Sequence, residues 1–81
     1  MSDNANLKRD IQPMPDDIRE ALIQRGLMEQ YEARPAYQRN DYLGWIARAK
    51  REATRQKRLE QMLDELATGG VYMNMRHGPS A

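Results

Sequence analysis

The sequence predicts a small all-α domain, a bundle of three to four helices with flexible N- and C-terminal tails. Three observations carry this. Apolar residues recur at spacings of three and four, and no run of β-branched residues alternates with polar ones. Proline, glycine and paired acidic residues cut the chain into segments of helical length. The 81 residues leave room for one compact core.

From the N-terminus, residues 1–12 are polar and aperiodic and read as a mobile arm. Met14-Pro15-Asp16-Asp17 starts a helix. Proline suits a first turn, where its missing N–H leaves no gap, and the aspartates face the positive end of the helix dipole. Ile18, Ala21 and Leu22 share one face, and Gly26 supplies a left-handed stop, so the first helix spans about 15–25. Leu27 to Ala33 forms a short turn or helix with Leu27, Met28 and Tyr31 inward. Pro35 ends it, because the residue before proline is pushed out of the helical region. Tyr42, Trp45, Ile46 and Ala49 then define a second main helix at about 36–49. Gly44 sits inside it at a cost of about 1 kcal/mol relative to alanine, a place where another helix can approach closely. Lys50-Arg51 is a bend. Leu59, Met62, Leu63 and Leu66 form the cleanest amphipathic stripe, closed by Thr68-Gly69-Gly70. The domain therefore spans 13–70, and residues 71–81 read as a frayed tail. The expected core is Ile18, Leu22, Leu27, Tyr31, Tyr42, Trp45, Ile46, Leu59, Leu63 and Leu66.

Composition narrows the function classes. The chain has no cysteine and one histidine, His77, so no disulfide framework and no thiolate or imidazole metal cluster is expected. Met73, Met75 and His77 are poorly organised as soft-metal ligands on a tail, and no cofactor is expected. No apolar run approaches the roughly 18 residues of a membrane span. The first residues lack a basic region followed by an apolar stretch, which predicts a cytoplasmic protein. Asp16-Asp17 and Asp64-Glu65 have no histidine or nucleophile beside them. Asp64-Glu65 fall on or beside the exposed face of the last helix. A domain of this size has little room for a water-shielded pocket, so a non-enzymatic role is expected.

Charge is unevenly spread. Net charge is +1, yet residues 1–33 carry four Lys/Arg against seven Asp/Glu, and residues 34–81 carry nine against five. The basic excess concentrates in Arg48, Lys50, Arg51, Arg55, Lys57 and Arg58, with only Glu52 opposing. On a helix Arg51, Arg55 and Arg58 share a face. Such a row reads two ways. It is a surface for phosphates or for an acidic protein, or it is a face salt-bridged to the acidic first helix. Trp45, Tyr37 and Tyr42 lie beside it. They serve either to stack bases or anchor an interface, or to fill a core that has no phenylalanine, and the core is the simpler role for Trp45.

The run Tyr42-Leu43-Gly44-Trp45-Ile46-Ala47-Arg48-Ala49-Lys50, followed by Arg51-Glu52-Ala53-Thr54-Arg55-Gln56-Lys57-Arg58-Leu59, resembles the C-terminal module of the bacterial YdeI/OmpD-associated proteins. The matching positions are Tyr42, Trp45, Ile46, Ala49, Lys50, Thr54, Arg55, Arg58 and Gly69. Pro15-Asp16-Asp17-Ile18 with Ala21-Leu22 is similar to the family's opening helix. Where relatives often have a phenylalanine before the second helix, this chain has Tyr31 or Tyr37. The resemblance covers about residues 13–70. It implies a bacterial helical module in an envelope or stress-related setting, with no catalytic residues attached.

Read as architecture, an arginine at Arg55 opposes the helix dipole and calls for an acidic partner among Asp16, Asp17 and Glu20. The expected function is that of an interaction module. Its candidate surface is Lys50, Arg51, Arg55 and Arg58, and its expected partner is a protein of unknown identity. Nucleic acid is the alternative partner, expected to bind with a steep salt dependence.

Overall fold

A computed structural model describes residues 12–73, 75 and 76. It contains α1 (Asp16–Gln24), α2 (Met28–Ala33), α3 (Ala36–Ala47), α4 (Glu52–Thr68), β1 (Val71–Tyr72) and β2 (Met75–Arg76). The fold is all-α, four helices packed around one core. α2, α3 and β1 all rest on α4, the longest helix.

Local sequence explains each boundary. Pro15 is extended and precedes α1, and its carbonyl accepts from the Arg19 N–H. Asp16 and Asp17 occupy the first turn. α1 ends in a Schellman motif: Leu27 N–H donates to the Leu22 carbonyl at 2.8 Å and Gly26 N–H to the Ile23 carbonyl at 3.0 Å. That turn needs a positive φ, and Gly26 takes it at +67° without the steric cost a Cβ would bring. The hydrophobic contact that accompanies the motif joins Leu22 and Leu27, both buried. Pro35 separates α2 from α3 and offers its carbonyl to Gln38 and Arg39.

The core holds Ile18, Leu22, Leu27, Tyr31, Tyr42, Leu43, Ile46, Leu59, Met62, Leu63, Leu66 and Tyr72. Trp45 differs from the sequence expectation. It is only partly buried, packed against the margin of the core. Its ring lies beneath the Arg58 guanidinium, 5.2 Å from the ring centroid, so a cation rather than an apolar side chain covers it.

Three observations add to the sequence reading. Residues 1–11 lie outside the described residues, but Gln12 is bound to the domain. Its N–H donates to Asn40 Oδ1 at 2.7 Å. Gln12 also lies against Gly44, where a Cβ would meet it at 3.4 Å and the Arg48 guanidinium at 3.1 Å. Gly44 therefore accommodates these two side chains.

The stretch read as a tail from residue 71 begins with structure. Val71–Tyr72 pairs antiparallel with Met75–Arg76, and Tyr72 joins the core at 7% exposure. The physical reason is burial of an aromatic ring with its hydroxyl satisfied, since Tyr72 O–H donates to Asp41 Oδ2 at 2.8 Å. Asn74 and residues 77–81, His77 among them, lie outside the described residues.

Glu65 is buried at 5% exposure, although its neighbour Asp64 is exposed. Its carboxylate accepts from Tyr42 O–H, from Gln61 Nε2 at 2.9 Å and from the Met73 N–H at 2.7 Å. Its backbone carbonyl, near the end of α4, accepts from Gly69 N–H and from Arg34 Nη2 at 3.0 Å. One residue thus ties α3, α4, the α2–α3 link and the segment after α4 together.

Burial pushes the Tyr42 phenol above its ordinary range, and the hydrogen bond to Glu65 pushes it the same way. The folded state therefore favours the neutral phenol. Its contribution is complete below the unfolded tyrosine value of about 10 and is lost as pH rises above it. A pH series of urea melts should show stability falling steeply in strong alkali, and Tyr42→Phe should flatten that fall.

Candidate interaction surface

The basic segment divides into two sets. Arg55 and Arg58 turn inward. Arg55, the fourth residue of α4, grips Asp17 of α1 with two hydrogen bonds, Nη1 to Oδ2 at 2.6 Å and Nη2 to Oδ1 at 3.2 Å. This is the acidic partner that its position at the start of α4 demanded. Arg58, one turn further, donates Nη1 to the Trp45 backbone carbonyl at 2.7 Å. That carbonyl belongs to the last turn of α3, where carbonyls lack an intrahelical partner. Arg58 thus caps α3 from α4 and covers the Trp45 ring in the same stroke.

Lys50 and Arg51 turn outward. They form the bend between α3 and α4, and both are exposed. Arg48, the C-terminal cap of α3, is exposed beside them. Among the described residues none of the three makes an ion pair. The corner Arg48-Lys50-Arg51 is therefore a cluster of three solvated cations, with Arg55 and Arg58 as the clamps beneath it. The four residues singled out in the sequence do not form one row.

The other exposed faces differ in charge. The outer face of α4 carries Lys57 beside Glu60 and Asp64, and Arg25, the C-terminal cap of α1, reaches both acids, at 3.3 Å and 3.8 Å. That face is mixed. The exposed acids Asp16 and Glu20 lie on α1, and Glu29 and Glu32 on α2. At the α3–α4 corner three exposed cations lie within four residues, with the exposed Glu52 next to them.

The Arg55–Asp17 pair has a pH signature. Its hydrogen bond holds the Asp17 carboxyl below the usual carboxylate range and raises Arg55. A depressed carboxylate contributes stability above its unfolded value, and the contribution is lost as pH falls through the folded one. The Asp17 side chain is 53% exposed, so solvent screens the pair. Arg55→Ala should cost less than about 1 kcal/mol at neutral pH. Thermal melts of variant and parent should converge in acid and in high salt.

Among the described residues no three His, Cys, Asp or Glu side chains gather as metal ligands. No helix among them is long and apolar enough to cross a membrane. Sequence reasoning does not single out three residues that organise the domain: Arg34, Glu65 and Tyr72. Arg34 holds Gln38 Oε1 at 3.2 Å as well as the α4 carbonyl, and its guanidinium lies 6.0 Å from the Tyr42 ring centroid. A signal for Glu65 is present in the spacing. It stands three residues after Met62, on the margin of the α4 stripe.

Comparison with known proteins places this geometry in a family. Neither the curated proteins nor the solved structures give a match. One family model, described as bacteriocin-protection, YdeI or OmpD-associated, matches residues 13–69. That range holds α1 to α4 entire, with both arginine clamps and Glu65. On that match over most of its length, the chain belongs to the YdeI or OmpD-associated family.

Proposed function

We propose that the domain is a non-enzymatic, cytoplasmic protein-interaction module that docks an acidic protein surface on the corner formed by Arg48, Lys50 and Arg51. The observation that carries this is the division of the basic segment. Two arginines are committed to the fold, while three neighbouring cations stand exposed with no ion pair among the described residues. Exposed cations of one sign steer an acidic partner and fix its orientation. An envelope or stress-related setting is suggested by the family description, which speaks of bacteriocin protection and OmpD.

The nucleic-acid reading is weaker. Duplex binding draws on many phosphate contacts, and the corner offers three cations with Glu52 immediately beside them.

The test is site-specific photo-crosslinking of the full chain in bacterial cells. A photoreactive residue at Lys50 or Arg51 should give a discrete protein adduct that the same residue at Glu29 does not. The adduct should disappear when the remaining corner cations are reversed to glutamate. Adducts to nucleic acid, or none that distinguish the corner from Glu29, would overturn the protein-partner reading.

A further inference from the structure

The exposed faces differ in whether they can meet their own copy. A dimer of identical chains is most often closed by a two-fold axis, which sets one patch on itself. A patch of one sign then repels itself. The corner carries Arg48, Lys50 and Arg51 against Glu52, and α1 and α2 expose Asp16, Glu20, Glu29 and Glu32 against Arg19. Both are unsuited to such a contact. The outer face of α4 is balanced, with Lys57 and Arg25 against Glu60 and Asp64.

That face also has the layout of a seat for a helix. Ala53, Lys57, Glu60, Asp64 and Ala67 are all exposed and follow one another at alternating spacings of four and three. Such residues form one straight stripe along a helix. A groove of about 490 Å³ runs down the same side of α4, from Gln56 to Thr68, and a groove of this kind receives the side-chain ridge of another helix. The small side chains of Ala53 and Ala67 leave the stripe low at both ends. The order of charge then selects an orientation. Lys57 precedes both acids in the stripe, so parallel copies would set like on like. Antiparallel copies set Lys57 of each against the acids of the other.

We propose that two copies of the chain pair through α4, antiparallel about a two-fold axis, with Lys57 of each copy against Glu60 and Asp64 of the other. One helix pair is a small and, here, polar interface, so the dimer is weak and sensitive to salt. It has a consequence for binding. The two basic corners come to lie at opposite ends of paired helices of 17 residues, about 25 Å long. A partner with two acidic sites is then held more tightly than by either corner alone. The pairing itself does not depend on what the corner binds.

The test is sedimentation equilibrium of the full chain, carried up to roughly 1 mM, the weak end of measurable association. The parent should show a monomer–dimer equilibrium that weakens as salt is raised. Lys57→Glu should weaken it at least about tenfold, because the axis makes each reversal count twice. The double variant Glu60→Lys, Asp64→Lys should do the same, and an equimolar mixture of the two variants should pair more tightly than either alone. Lys50→Ala with Arg51→Ala, outside the stripe, should leave the equilibrium unchanged. A parent that stays monomeric, a dimer that ignores both reversals, or a mixture that does not recover pairing would overturn the proposal. Should the double variant lose its helical circular dichroism with the Arg25 pairs, Lys57→Glu, which touches neither pair, decides against the parent.

Discussion

Replacing Glu65 with alanine is expected to lower stability by about 3 kcal/mol, the scale of breaking a buried charged network by removing one partner. The Tyr42 hydroxyl, fully buried, and the Met73 N–H both lose this acceptor. A buried donor without a partner keeps its desolvation cost, and truncation leaves a void beside the Tyr42 hydroxyl. For a domain of this length that corresponds to a fall of roughly 15 °C in melting temperature. Thermal unfolding followed by helical circular dichroism checks it. Glu65→Gln, which retains one acceptor oxygen, should lose less. A Glu65→Ala protein that melts within a few degrees of the parent would show that the network is dispensable.

Arg58→Ala is expected to cost about 2 kcal/mol. The change removes a charged hydrogen bond to the Trp45 carbonyl, worth about 1.5 kcal/mol or more, and a cation over the indole ring, worth about 0.5–1 kcal/mol. It also uncovers the indole, so Trp45 fluorescence in the native state should move to longer wavelength. Arg58→Lys should recover only part of the stability, because an ammonium cannot lie flat on the ring while reaching the carbonyl. Denaturant melts with the fluorescence spectrum as a second readout test both points.

The helices are legible in the sequence because their punctuation is local. Pro15, Gly26, Pro35 and Gly69 act on their own neighbours, and the apolar spacing between them is set by the helix repeat. Arg55 is legible for a related reason. A cation at a helix start is out of place, and the acidic first helix is the natural source of a partner. Arg58 and Glu65 are not legible in the same way. Both sit on one edge of the α4 stripe, two turns apart, and the sequence does not say whether an edge residue faces water or a neighbouring element.

For Arg58 the outcome depends on where α3 ends, since its acceptor is a main-chain carbonyl with no identity in the sequence. For Glu65 it depends on Tyr72, whose return onto α3 is a contact across 31 residues. Gly69-Gly70 announces the end of a helix but not the short strand beyond it. Trp45 carries the same ambiguity, because an aromatic at helical spacing packs equally well against leucine or beneath a guanidinium.

Clamps and a free corner within one basic segment are separated most directly by melting experiments. These compare Arg58→Ala and Arg55→Ala with the double variant Lys50→Ala, Arg51→Ala. Both clamp variants should melt below the parent, Arg58→Ala furthest. The double corner variant should stay within about 0.5 kcal/mol of it, as solvated surface residues do. A corner variant as destabilised as Arg58→Ala, or an Arg58→Ala that melts like the parent, would contradict the division.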